Sequence, residues 1–197
     1  IEAHPETFFV IRAHPDEKRP GTRKHSREAV SEWVAKKGIG KLHNVLFIDS
    51  QEYLSSYELI RLAKFVMVYN SSIGLEATLL GTAVLTAGKA RYTQYPIVYF
   101  PENKPEFRQQ AEDLLSAEQV EVLDEHHRNA LRFLYYQLHR VSIPLGEYIE
   151  AHPTPGYVQL KQFNWRKLTH RESVSIKVIV DGILKGKPFL MPENEAR

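Results

Sequence analysis

Short apolar runs alternate with amphipathic stretches through the first half of the chain. The runs occupy residues 8–11, 45–48, 65–69 and 83–86, and a fifth candidate strand lies at 97–100. Between them, helical periodicity predicts helices over 26–37, from Ser55 onwards, and over 73–80. Strands that are almost uniformly apolar and alternate with helices are typical of a parallel sheet with helices on both faces. The predicted fold class is therefore α/β.

Two of these helices carry more detailed predictions. In the first, Trp33 and Val34 share the apolar face and Gly38 follows the last turn, where glycine commonly ends a helix. In the second, residues 55–58 match a capping box, and Ile60 and Leu62 are placed on the inward side.

The second half of the chain has a different pattern. It predicts helices over 105–115, 124–139 and 173–184, with a proline-rich loop at 152–156. We place a boundary near residue 104. Residues 1–104 then form the sheet domain, and residues 105–197 form a helical C-terminal extension that packs on it.

Composition narrows the function classes. The 197 residues carry 26 Lys and Arg against 24 Asp and Glu, a net charge of +2, which lacks the basic excess of nucleic-acid-binding proteins. The absence of cysteine excludes disulfides and thiolate metal sites. No Asp-x-Asp pair is present, and the adjacent His126 and His127 would point to different sides of a helix, so we predict no metal site. Because the chain begins with Ile1, we expect it to be part of a longer protein.

Polar residues follow two of the predicted strands where ligands bind in open parallel sheets. A phosphate there would meet an imidazole, hydroxyls and backbone N–H groups. The candidate residues are Arg12, His14, Asn70, Ser71, Ser72, Gly74 and Glu76, with Lys89, Arg91 and Tyr92 as a second tier after the fourth strand. Serines at a helix start are also common N-caps, and Glu76 could be a solvated helix residue. An exposed basic loop could equally account for Lys89, Arg91 and Tyr92. Ala-His-Pro occurs three times, but only His14 follows an apolar strand.

In this order, segments 12–15, 69–84 and 88–92 resemble the bacterial capsule polysaccharide biosynthesis and export family, whose members are similar to β-Kdo transferases. The resemblance covers about residues 8–95 well. It implies half of a GT-B fold, with a Rossmann-like domain that binds a CMP-activated sugar. His14, Ser71 and Ser72 would then contact the donor phosphate, and Glu76 would lie near the nucleotide or sugar. The role of Asn70 is less closely implied.

The resemblance also implies an inverting glycosyltransferase whose general base lies on an N-terminal domain outside this chain, so we name no catalytic residue and no cofactor. The expected partners are the nucleotide-sugar, a glycan or glycolipid acceptor, that missing domain and membrane-associated export machinery. We expect a cytoplasmic location, with peripheral attachment to the inner membrane as an alternative. Other functions left open are a sugar-nucleotide epimerase, a polyol-phosphate transferase of GT-B architecture, and a non-catalytic partner-binding module.

Overall fold

The computed structural model describes residues 1–18 and 27–193. The strands are β1 (Phe9–Arg12), β2 (Val45–Ile48), β3 (Val66–Val68), β4 (Val84–Thr86), β5 (Ile149–Ala151) and β6 (Val158–Leu160). The helices are α1 (Val30–Lys37), α2 (Ser56–Leu62), α3 (Ile73–Leu79), α4 (Lys104–Ser116), α5 (Asp124–Tyr135) and α6 (Val174–Lys185). The start predicted near Ser26 for the first helix lies outside the described residues, but residues 27–29 are described and not helical, so the helix begins later than predicted, at Val30. Its end is as predicted, because Gly38 adopts a left-handed conformation with a φ of 67°.

Two parallel strand pairs form the first half. β1 pairs with β2 and β3 pairs with β4, each strand pair being connected through a helix. This arrangement confirms the predicted α/β, Rossmann-like class. The fifth predicted strand is reduced to a parallel bridge between Leu85 and Tyr99. Pro96 and Pro101 flank that segment, and proline offers no N–H for a sheet ladder.

The core is centred on β4, whose three residues are all buried. The middle positions of the other strands are more open, since Val10, Leu46 and Met67 are 42%, 45% and 48% exposed. Thr82, just before β4, donates its hydroxyl to the carbonyl of Ile60 in α2 at 3.1 Å. β4 is therefore the most buried strand of the core, and β1, β2 and β3 each carry one exposed position among half-buried or buried ones.

Three predictions for the helices are wrong. Trp33 and Leu62 were placed inward but are 47% and 86% exposed. Leu62 follows the buried Ile60 by two residues, about 200° around the helix axis, so a helix of two turns cannot bury both. The capping box at Ser55 does not form, because the Ser55 side chain makes no cap hydrogen bond although the residue is the N-cap of α2.

The chain divides into two compact units. The first comprises residues 1–93 and 98–123, and the second residues 94–97 and 124–197. Helix α4 groups with the first unit, since Glu112 pairs with His4 at 2.7 Å and Lys64 donates to the carbonyls of Leu115 and Ala117. This division falls after residue 123, whereas the sequence pattern places its boundary near residue 104.

The second unit contains a hairpin that the sequence pattern did not indicate. β5 and β6 are antiparallel, and the loop predicted at 152–156 connects them. Strands of three residues are too short to show a clear alternation. Helix α5 continues into a π-helical turn, Tyr136–Arg140. In the described part of the chain, no helix is both long enough and apolar enough to cross a membrane.

Candidate functional site

The turn between β3 and α3 carries the serine pair. Ser71 is half-buried and its Oγ accepts a hydrogen bond from the Ile73 N–H at 3.4 Å. Ser72 is exposed, occupies the N-cap position and makes no side-chain cap hydrogen bond. Capping therefore does not account for the Ser72 hydroxyl, which is open to solvent. We call residues 70–74 the serine turn.

Tyr92 supports the serine turn from the interior. Its hydroxyl donates to the Ser71 carbonyl oxygen at 2.6 Å, and the side chain is only 3% exposed. Burial raises the pKa of Tyr92, so the phenol stays protonated and remains a donor. Tyr92 was a second-tier binding candidate, but the structure places it behind the turn. Lys89 and Arg91, its neighbours along the chain, are exposed.

The absence of a Cβ atom at Gly74 leaves room for Tyr92. A Cβ atom at position 74 would lie 3.1 Å from Val68 Cγ2 and 3.2 Å from Tyr92 Cζ, and closer still to the Tyr92 hydroxyl oxygen. A second close approach occurs at Gly88, whose N–H donates to the Tyr69 carbonyl at 2.5 Å. These contacts connect the segment after β4 to the end of β3. Only glycine allows this spacing without displacement of a neighbour.

His14 lies in an exposed loop after β1. Its Nδ1 accepts a hydrogen bond from the Asp16 N–H at 3.1 Å, so the neutral ring carries its proton on Nε2. Among the described residues, that Nε2 has no hydrogen-bond partner. His152, in the loop between β5 and β6, has the same local geometry, because its Nδ1 accepts from the Thr154 N–H at 3.0 Å. The local turn thus recurs, and its position after β1 is what distinguishes His14.

The Arg12 guanidinium donates hydrogen bonds to backbone carbonyls. Its Nη1 donates to the Asp49 carbonyl at 2.6 Å, and its Nη2 donates to those of Glu52 and Leu54 at 3.2 Å and 3.3 Å. The guanidinium therefore holds the loop that follows β2. Arg12 was a phosphate-binding candidate, and the structure gives its Nη donors these partners instead.

Two further side chains order the loop after β1. Lys18 pairs with Asp49 at 2.7 Å, and this contact lowers the pKa of Asp49 and raises that of Lys18. Glu17 is buried and its Oε1 accepts from the Val30 N–H at 2.8 Å, at the start of α1. The first helix therefore receives a carboxylate from its own chain at its N-terminus. Sequence reasoning missed these residues because their partners are distant in the chain, 13 positions away for Glu17 and 31 for Lys18.

Glu76 lies one turn into α3 and is held by a neighbouring helix. Its Oε2 accepts from the Tyr57 hydroxyl at 2.5 Å, which raises the pKa of Tyr57. The side chain of Glu76 is half-buried, and Tyr57 is 46% exposed. Nothing in the periodicity of α2 singles out Tyr57, since its role depends on a residue 19 positions later.

The structure brings some of the predicted site residues together. Ser71, Gly74 and Tyr92 form one cluster, and Glu76 follows them on α3. Among the described residues, no hydrogen bond or ion pair joins His14 to either serine. Asn70 is exposed beside the serine turn. Within 1–18 and 27–193, no group of three or more His, Asp or Glu side chains could hold a metal ion.

The fold and these strand-end residues define a Rossmann-like α/β protein with polar groups at the carboxyl ends of its parallel strands. A family model described as capsule polysaccharide biosynthesis protein matches residues 1–113. Because this match covers more than half of the 197 residues, the chain belongs to the capsule polysaccharide biosynthesis family. Comparisons with curated proteins and with solved structures found no match.

Proposed function

We propose that this chain is the nucleotide-sugar-binding part of an inverting, metal-independent glycosyltransferase that builds capsular polysaccharide. The observation that carries the proposal is the serine turn, in which an exposed hydroxyl not used for capping follows a strand of a capsule-family domain. The resemblance of the His-Pro and serine segments to CMP-binding transferases supports a CMP-sugar donor, such as CMP-Kdo.

The chemistry of such a transfer suits these residue types. As the nucleotide leaves, negative charge grows on its phosphate, and donors that meet this charge lower the barrier. In our proposal, the hydroxyls of Ser71 and Ser72 donate to the phosphate oxygens. His14 donates from Nε2, because its Nδ1 is occupied by the Asp16 N–H. Glu76, oriented by Tyr57, accepts hydrogen bonds from hydroxyls of the ribose or sugar.

The rest of the reaction is assigned to other components. We propose that the general base lies on a second domain and that a glycan or glycolipid is the acceptor. No cofactor takes part in this scheme. We place the reaction in the cytoplasm, with peripheral attachment to the inner membrane and contact with export machinery.

The test is a calorimetric titration of the 197-residue chain with CMP and CMP-Kdo. His14→Ala, Ser71→Ala and Ser72→Ala should each weaken CMP binding about tenfold, since each removes a hydrogen bond to a charged group. Two matched controls are available in the chain. His152→Ala removes a histidine of the same local turn, and Ser55→Ala removes another N-cap serine whose side chain makes no cap hydrogen bond.

Both controls should bind CMP with unchanged affinity. An absence of saturable binding to either ligand contradicts the proposal, as does an equal loss in the variants and their controls. Preference for UDP-GlcNAc or CDP-glycerol over CMP would instead favour the epimerase or the polyol-phosphate transferase.

A further inference from the structure

Tyr92 is a buried side chain that contacts the serine turn from the interior. It was considered above as a residue that touches a ligand, but its hydroxyl faces inward and donates to the Ser71 carbonyl at 2.6 Å. The same carbonyl accepts the Gly74 N–H at 3.1 Å. A carbonyl oxygen has two lone pairs, so both acceptor positions of Ser71 are filled.

That carbonyl belongs to the peptide plane that joins the two serines. A peptide group is rigid and planar, so its orientation sets the direction in which the backbone leaves each flanking Cα atom. Once the plane between Ser71 and Ser72 is held, the two side chains keep mainly their χ1 freedom. The Tyr92 hydroxyl therefore acts on both serine hydroxyls through one hydrogen bond to the backbone.

The pocket that receives Tyr92 leaves little room for an alternative position. The ring lies against Gly74, where a Cβ atom would be 3.2 Å from Cζ, and the side chain is almost fully buried. Close packing restricts the ring of so enclosed a phenol, and the Thr86 side chain is the other polar group within hydrogen-bonding reach of its hydroxyl. This separates Tyr92 from an exposed tyrosine, whose hydroxyl would sample several partners.

We infer that Tyr92 is a positioning residue for the donor phosphate, acting through the Ser71 carbonyl on the two serine hydroxyls. The inference rests on the proposed function. It assigns to Tyr92 an effect on the phosphate portion of the ligand and none on the nucleoside portion.

The chain offers a closely matched control. Tyr148 is 4% exposed and donates its hydroxyl to the Lys167 carbonyl at 2.9 Å, in the second compact unit. Tyr92→Phe and Tyr148→Phe thus delete the same buried hydroxyl-to-carbonyl hydrogen bond at two places. If the Tyr92 hydroxyl served only the stability of the fold, both variants would bind ligand with the same affinity.

The experiment titrates wild type and both variants with CMP and with cytidine, which lacks the phosphate. We expect Tyr92→Phe to weaken CMP binding about fivefold or more and to leave cytidine binding unchanged, the fivefold corresponding to one ordinary hydrogen bond. Tyr148→Phe should change neither affinity. Equal losses for CMP and cytidine, or equal effects of the two variants, would overturn the inference.

A ligand-free measurement separates this inference from the proposed function. Hydrogen exchange at the Gly74 amide, which donates to the Ser71 carbonyl, should be about fivefold faster in Tyr92→Phe than in wild type and unchanged in Tyr148→Phe. If wild type fails to bind CMP, the proposed function fails. If Gly74 exchange is the same in both variants, the positioning role of Tyr92 is refuted even when CMP binds.

Discussion

The serine turn and the loop after β1 carry the two halves of the proposed phosphate site, and they are held in opposite ways. The serine turn is fixed from the interior by Tyr92, which fits against Gly74. The loop after β1 depends more on partly exposed polar contacts, those of Lys18 with Asp49 and of Arg12 with carbonyls of the loop after β2. Buried packing tolerates little change, whereas partly exposed polar contacts are weaker and depend on pH and salt. Variants should therefore affect the two regions differently.

The largest effect is expected in the serine turn. Gly74→Ala adds a Cβ atom against Val68 and Tyr92, and such overpacking should lower the free energy of unfolding by about 1–3 kcal/mol, measured by urea denaturation. Gly146→Ala is the control, because among the described residues no atom beyond its chain neighbours lies within 4 Å of the added Cβ. The double variant Gly74→Ala/Tyr92→Phe should recover part of the loss, since the Tyr92 oxygen is the closest obstacle. Equal stabilities of the two single variants would contradict the packing account.

A smaller effect is expected for Arg12, the last residue of β1. Arg12→Gln removes donors to three carbonyls and should cost about 1.5 kcal/mol in the free energy of unfolding. This value is the low end of the range for hydrogen bonds of charged groups, because the buried Nε of Arg12 has no hydrogen-bond partner among the described residues. The loss should be local, with faster amide exchange over residues 49–54. Arg61→Gln, at an exposed position on α2, should leave that exchange unchanged.

The smallest effect concerns the ion pair between Lys18 and Asp49. Lys18 lowers the pKa of Asp49, so the contact stabilises the fold above the ordinary carboxyl value of 3.8 and is lost as pH falls through the lower folded pKa. Lys18→Gln should therefore lower the melting temperature slightly near pH 7, and its difference from wild type should shrink below about pH 4.

The pH dependence of that difference is the decisive measurement. The Asp49 carboxyl, followed by NMR, should titrate at a higher pH in Lys18→Gln than in wild type, whereas Lys36→Gln, at an exposed position on α1, should leave it unchanged. A melting-temperature difference that stays constant through the acid range would show that the ion pair does not hold the loop.

Much of the fold could be predicted because its signals are local. Apolar runs located β1 to β4, and the glycine at position 38 marked the end of α1 with its left-handed backbone. The prediction that Leu62 points inward was wrong. A two-turn helix buries only one side, and periodicity alone did not show which side of α2 that is. The hairpin of β5 and β6 was missed for a related reason, since three-residue strands carry almost no pattern.

The candidate site, like the fold, could be predicted only in part from the sequence. The residue types of the serine turn and of the loop at His14 are evident from the sequence, as are their places after strands. The role of each side chain is not. Tyr92 looked like part of a basic loop, yet its hydroxyl is enclosed and bonds a carbonyl 21 residues earlier. The three Ala-His-Pro segments look identical, yet His4 pairs with Glu112 while His14 and His152 share a turn geometry.

The sequence by itself determined the α/β class, the order of strands and helices and the polar residues that follow β1 and β3, because each depends on neighbours along the chain. Only the tertiary structure decided that Arg12 bonds carbonyls, that Glu76 is held by Tyr57, and that Tyr92 lies behind the serine turn. Each of these pairs joins residues separated by 19 or more positions. Hydrogen bonds of that kind exist only after the segments have packed, so no local pattern encodes them.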